Sequence, residues 1–302
     1  MRTLIAAWVV LAVAASASAQ LVFTNISVAD AFVRSLDPTH NYGGAGALAV
    51  SGAIATNVLG QQQGSLDSFL RFDLSGVVSN LNGNFGTGRW TVVRARLFLF
   101  EQGAPNNTIF NRGVGPFEAR WIANDSWLEG TGNPNSPATN GIAWADKSSV
   151  LNSNVDQSLG NFTNGGTDGV VRLTLGMPAS FTGDLAAGSP VSFFITTTTN
   201  SPVGFTFHSH NFVDSTHWPF LEIAAVALPQ ITFVTVTGAN VKIDFIPSGS
   251  VTNIVEYNDD LTSTNWNPIA TLLGTTSSTN VVDIGGATLP KRFYRVKLVV
   301  PQ

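Results

Sequence analysis

Four oxygen-bearing side chains in the first quarter of the chain, Asp30, Asp37, Asn41 and Asp73, are of the kind that holds Ca²⁺. That ion takes about six to eight oxygen ligands, and carboxylate and amide oxygens beside backbone carbonyls provide them. The loop Asp37-Pro38-Thr39-His40-Asn41-Tyr42-Gly43-Gly44 ends in a glycine pair free to turn carbonyls inward. A structural Ca²⁺ is therefore the one cofactor the sequence points to. The competing reading has Asp37 and Asn41 as ordinary turn residues and Asp30 paired with Arg71.

A second constellation could recognise sugar. Trp127 and Trp144 stand in the loop-rich middle of the chain, where exposure is expected, with Asp125 and Glu129 beside Trp127; Tyr42 and His210 are the further candidates. Indole faces pack against sugar C–H surfaces, while carboxylate, phenol and imidazole groups bond hydroxyls. In a β-sandwich most tryptophans are core residues, which is the expectation for Trp90 and Trp121. His208 and His210 alternate in an expected strand and so share a face. Two such imidazoles could chelate zinc or copper with His217 or His40 as a third ligand, or could simply be a satisfied pair. Asp125 and Glu129, with Arg120 and His210, could be assembled into the two-carboxylate arrangement of a glycosidase. The stretch around them reads equally well as structural, and G-x-S-x-G, H-E-x-x-H and phosphate-loop motifs are missing. No residue is assigned a catalytic role.

The elements that must position these groups are strands. Val28–Val33, Ser68–Leu74 and Val92–Phe100 alternate with period two, and in the last Arg94 and Arg96 share one face. Further strands are expected at Val170–Leu175, Val191–Thr198, Gly204–His208 and Phe220–Val226, separated by Gly, Asn and Pro clusters. After Pro229 come six more: Ile231–Val236, Asn240–Ile246, Asn253–Tyr257, Ile269–Leu273, Thr279–Asp283 and Arg292–Val299. Helical periodicity is nearly absent. Residues 124–168, dense in Asn, Ser, Gly and Trp, are expected as long loops over one end or face.

Composition narrows the setting. Met1-Arg2, the apolar run from Leu4 to Ala15 and the small residues Ala17-Ser18-Ala19 make residues 1–19 a signal peptide, too short for a membrane span. The expected location is secreted, extracellular or at the cell surface. The chain has no cysteine, which removes thiolate metal sites and cysteine nucleophiles. Charged residues make up 11% and the net charge is −4, with no basic run to neutralise nucleic-acid phosphates. Asn, Ser, Thr and Gly must then build an uncharged surface suited to carbohydrate.

The residues Ala29-Asp30-Ala31-Phe32-Val33-Arg34-Ser35 and the following Asp37–Gly44 loop, with Ser68–Leu74, Ala95–Leu99 and Asp125-Ser126-Trp127-Leu128-Glu129, resemble the DNRLRE-type domain. Phe205–His210 and Pro219–Ile223 look like its closing strands. That family is a bacterial extracellular jelly roll related to carbohydrate-binding modules, some of which bind alginate. The likeness covers about residues 22–227 and departs from the pattern at His208-Ser209-His210 and along 133–168. Residues from Val255 to Val296 resemble small fibronectin-like modules that end many exported proteins.

The sequence thus predicts an all-β chain: a jelly-roll β-sandwich over 20–227, then a small immunoglobulin- or fibronectin-like β-sandwich over 228–302. The leading functional expectation is a secreted, non-catalytic protein that binds a polysaccharide or cell-surface glycan. The first alternative is a structural or adhesive surface component without a small ligand, and the second a polysaccharide-degrading enzyme. Neither nucleic acid nor a membrane span is expected.

Overall fold

The computed structural model describes residues 20–57, 59–101, 113–164, 169–197, 200–275 and 277–300. The expected signal peptide lies outside them. The chain divides into two compact units, Leu21–Ala225 and Val226–Val300. Both are built of antiparallel β-sheets, and the protein is an all-β, sandwich-type fold. Among the described residues no helix is long and apolar enough to cross a membrane.

The larger unit contains β1 (Leu21–Ile26), β2 (Ala29–Arg34), β3 (Ala47–Ser51), β4 (Leu66–Phe72), β5 (Trp90–Glu101) and β6 (Gly115–Ile122). It continues with β7 (Gln157–Asn164), β8 (Gly169–Thr174), β9 (Val191–Thr196), β10 (Gly204–His208) and β11 (Phe220–Ala227). The hydrogen-bonded path runs β1-β11-β5-β10-β3-β4-β9-β6-β7, with β8 added on β5 and β2 on β4. A single residue pair, Ser51 with Leu66, links β3 to β4. Around that hinge the path folds into two layers.

Strand alternation explains the layering. In β4, Leu70 and Phe72 point into the main core beside Val191, Phe193 and Ile195 of β9 and Leu97 and Leu99 of β5. Phe69, the residue just before Leu70, points the other way and packs with Ala29, Ala31, Val33 and Phe194 on the outer face. Such a face needs a cover, and the segment after β6 supplies it through Trp127, Ile142, Trp144, Val150 and Leu151. The expected long loops over one face are there, but β7 occupies the last part of the stretch expected to be loop.

Two helices close the main core and were not foreseen. α1 (Ser75–Phe85) buries Val77 and Leu81, one turn apart, despite its Gly and Asn content. The short helix α2 (Lys147–Val150) belongs to the covering segment, and α3 (Ala179–Ala187) buries Phe181 and Leu185, again one turn apart. Each of these stripes is only two residues deep, so no sustained helical period is visible in the sequence.

The smaller unit is a sandwich of two three-stranded sheets. One runs β12-β13-β16 and the other β15-β14-β17. The strands are β12 (Gln230–Thr237), β13 (Asn240–Ile246), β14 (Thr252–Asn258), β15 (Asn267–Leu273), β16 (Thr279–Asp283) and β17 (Phe293–Val299). Val241, Ile243, Phe245 and Val255 form its core, against Ile269, Leu272, Val281 and Val296.

Candidate functional site

The two groups of candidates are redistributed by the fold. Asp30, from the expected calcium set, meets Glu129 and His210, from the expected sugar set. One ligand atom from each of the three side chains falls within 4.8 Å of the others.

Three remote segments build this cluster. Asp30 lies on β2 in register with Leu70 of β4, which turns its carboxylate to the face opposite Ala29 and Ala31, and the residue is fully buried. Glu129 arrives on the covering segment, where Gly43 admits it: a Cβ on Gly43 would lie 2.3 Å from the Glu129 carbonyl oxygen. Gly44 gives a similar clearance to Thr131, so the glycine pair serves close backbone approach. His210 follows the end of β10, and its backbone N–H donates to Asp30 Oδ2 at 2.8 Å.

Ser27 Oγ also donates to Asp30 Oδ2, at 3.1 Å, and His210 Nδ1 stands 3.3 Å from the same oxygen. On the other side of the imidazole, Nε2 is 3.5 Å from Glu129 Oε1. Asn211 Nδ2 donates to Glu129 Oε1 at 2.6 Å and to the Gly43 carbonyl at 3.0 Å, tying the three segments together. Burial pushes the Glu129 carboxyl up to about 7, against the pull of His210. The His210 imidazole is raised: burial opposes its charge, but Asp30 and Glu129 outweigh that. Asp30 Oδ1 and His210 Nδ1 are buried without a hydrogen-bond partner.

The remaining members of the expected calcium set go elsewhere. Asp37 accepts from Tyr42 Oη at 2.5 Å and contacts His40 Nδ1 at 2.6 Å; the Tyr42 bond, then His40, holds its carboxyl below the usual range. Asn41 is fully buried and spends its amide on the covering segment, donating to the Ala138 carbonyl and accepting from the Gly132 N–H. Asp73 accepts from the Ser75 N–H at the start of α1. All three are committed to partners other than Asp30, which is grouped with Glu129 and His210 instead. Asp30 does not pair with Arg71 either. Alternation puts the two on opposite faces, and Arg71 donates instead to the carbonyls of Asp125 and Trp127.

The expected sugar set also separates. Trp127 is 4% exposed, with its N–H on Ser192 Oγ and the Arg71 guanidinium 5.0 Å from its ring. Its expected exposure is overturned because the outer face of β4 and β9 needs an apolar lid. Trp144 is half-buried, with Lys147 Nζ 3.7 Å above its ring and Lys147 paired to Asp67. Tyr42 is buried and stacked on Phe32 at 4.6 Å between centroids. Trp127 and Tyr42 offer no free platform for a sugar, and Lys147 occupies one side of the Trp144 ring. His208 and His210 part company: β10 ends at His208, whose ring lies 3.8 Å from that of Phe212 and 5.4 Å from that of His217.

Trp127 borders a depression of about 390 Å³ with Ile142 and Val150. Asp125 lines a larger open depression, of about 920 Å³, formed where residues 123–126 meet 148–152. Asp156, which the sequence did not single out, holds the two sides together: it accepts from the Ala123 N–H at 3.1 Å and the Asn152 N–H at 2.7 Å. Ser126, Ser148, Ser149 and Asn152 are exposed around it, an uncharged rim of hydroxyls and an amide. Burial raises the half-buried Asp125 carboxyl. The signal for this surface was the Ser- and Asn-rich run from Ser148 to Asn154, visible only as loop composition.

No protein-family model matches the chain, and no curated protein matches it. Among solved structures, a β-glucuronidase from Ruminococcus gnavus in complex with N1-substituted uronic isofagomine aligns over 94% of this chain and 44% of its own, at 6% identity and a TM-score of 0.26. The Lactobacillus rhamnosus β-glucuronidase aligns over 89% and 39%, at 8% identity and a TM-score of 0.22. A β-1,2-glucanase from Parabacteroides distasonis aligns over 95% and 35%, at 11% identity and a TM-score of 0.17. The chain spans less than half the length of each. Likeness at this level assigns no activity.

Proposed function

We propose that this chain is a secreted, non-catalytic carbohydrate-binding protein, and that its larger unit holds an extracellular polysaccharide in the depression around Asp125. The observation that carries this reading is the depression's chemistry: open, about 920 Å³ in volume, and rimmed by exposed Ser126, Ser148, Ser149 and Asn152. Such groups exchange hydrogen bonds with water for hydrogen bonds with sugar hydroxyls, each worth about 0.5–1.5 kcal/mol net. A repeating polymer sums many such weak contacts. Recognition by stacking on Trp127, Trp144 and Tyr42 is withdrawn, because those rings are engaged within the fold.

An array of polysaccharides probed with the full secreted chain tests the proposal. It expects retention on at least one uncharged or uronic polymer, weakened by Asp125→Ala and by Asn152→Ala. A chain retained by none, or retained equally by both variants, contradicts it.

A second reading, an adhesive surface component, is favoured by one observation. On β12, an edge strand of the smaller unit, Phe233 is 64% exposed on one face and Val236 63% on the other, so both faces of that edge carry uncovered apolar side chains. Self-association of the full chain that Phe233→Ser abolishes would favour that reading.

A further inference from the structure

Independently of the sugar-binding reading, we propose that Asp30, Glu129 and His210 form a structural site for a divalent transition-metal ion of the zinc type. The donors are two carboxylates and one imidazole, a set suited to zinc, manganese or cobalt rather than to Ca²⁺, which prefers oxygen alone. Their ligand atoms already lie within 4.8 Å of one another, although Asp30 and His210 are 180 residues apart.

A second observation points to a ligand. Asp30 is fully buried, yet its Oδ1 has no hydrogen-bond partner, and the contact of the neighbouring His210 Nδ1 goes to the other oxygen, Oδ2, at 3.3 Å. An uncompensated carboxylate oxygen in the interior costs free energy unless a proton or a cation meets it. Ser27 and the His210 N–H fix the other oxygen, Oδ2, and Asn211 fixes Glu129. These are the hydrogen bonds that hold first ligands in place around a metal. The ion would staple β2, the covering segment and the turn after β10, a function a cysteine-free exported protein cannot give to a disulfide. The competing arrangement is an imidazolium bridging the two carboxylates with no metal at all.

The test uses the untagged full chain, stripped with a chelator and titrated with Zn²⁺, and separately with Co²⁺ and Ca²⁺. One Zn²⁺ per chain is expected, with a melting temperature higher by about 5–10 °C at a hundredfold excess over Kd. Co²⁺ is expected to give a visible d–d absorption that Zn²⁺ displaces. His210→Gln and Glu129→Gln are each expected to weaken Zn²⁺ binding by about 100-fold or more. The cobalt spectrum of the unaltered chain decides the matter if a variant fails to fold. Failure of Zn²⁺ and Co²⁺ to bind overturns the proposal. So does binding that persists in His210→Gln and disappears in His217→Ala, which would place the ion on the His208–His217 pair. A melting response to Ca²⁺ alone also overturns it.

Discussion

The indole N–H of Trp127 donates to Ser192 Oγ at 3.0 Å, and that bond turns the ring onto the sheet. Ser192 belongs to β9, whose neighbouring Phe194 packs on the same outer face. Trp127 is therefore the lid of a small second core. Replacing it with Ala is expected to destabilise the larger unit by about 3–5 kcal/mol, the usual cost of emptying a buried aromatic site. Trp127→Phe keeps much of the packing and removes only the hydrogen bond to Ser192, whose hydroxyl retains Asp125 as a partner, for about 0.5–1.5 kcal/mol. Chemical denaturation monitored by fluorescence measures both. A destabilisation of less than about 1 kcal/mol in Trp127→Ala would contradict the assignment of the ring to the core.

Gly43 marks where the Asp37–Gly44 loop and the covering segment touch. Its Cβ would stand 2.3 Å from one backbone atom of Glu129 and 2.7 Å from another. Gly43→Ala must push the two backbones apart, and an overpacking cost of about 1–3 kcal/mol is expected. Hydrogen exchange should rise at the Gly132 and Gly44 amides, which bond across this junction to Asn41 and Gly132. Unchanged protection there would mean that the junction is looser than its geometry indicates.

Asp37 and Tyr42 couple stability to pH. The Tyr42 hydrogen bond, then His40, lowers the Asp37 carboxyl in the folded state, so the unfolded chain binds more protons in acid. This stabilisation is present above the ordinary carboxylate range and is lost as pH falls through the lowered value. Tyr42 is pushed up to about 12, chiefly by burial and then by Asp37, so its own contribution holds below about 10 and fades toward 12. Tyr42→Phe is expected to reduce stability at neutral pH by about 1–3 kcal/mol and to bring the acid unfolding midpoint closer to neutrality. Melting curves from pH 3 to pH 7, an interval of about four units around the carboxylate range, check this. Parallel curves for the two proteins would contradict it.

Asp156 is expected to shape the depression without touching a ligand. Its two carboxylate oxygens hold the Ala123 and Asn152 amides. Asp156→Ala leaves both without their acceptor, so polysaccharide binding should weaken together with a loss of stability. Asn152→Ala should weaken binding while the melting temperature stays within about 2 °C of the parent, as for an exposed substitution. A variant pair that behaves identically in both measurements would undo the distinction between frame and rim.

Much of the strand layout was legible in the sequence because strands betray themselves by alternation. Arg94 and Arg96 share a face, as expected, and both reach Glu222 on β11 at 3.4 and 3.5 Å. The strands expected at Gly204–His208, Asn240–Ile246 and Thr279–Asp283 coincide with β10, β13 and β16. β1, β3, β6 and β7 escaped notice. β7 carries Gly160 and two Asn, residues that read as loop, yet it pairs with β6 from Gly115 to Trp121 around a bulge at Ala119 and Arg120. The sites were less legible, for a physical reason. Proximity in sequence suggested that Asp30 belongs with Asp37 and Asn41, but pairing with β4 turns Asp30 to its own face of the sheet. Its partners Glu129 and His210 come from segments far along the chain, and only tertiary closure brings them together. Trp127 looked exposed because its neighbours are polar. The apolar face that required it lies on β2, β4 and β9.

The depression is put to the test by isothermal titration of a soluble polysaccharide selected from the array into the full chain and into Asp125→Ala. Measurable binding by the parent chain is expected, with at least a tenfold weaker affinity in the variant, about 1.4 kcal/mol, and folding intact by circular dichroism. Equal affinities, or heat that survives removal of Asp125 and instead disappears with Phe233→Ser in the smaller unit, would contradict this expectation.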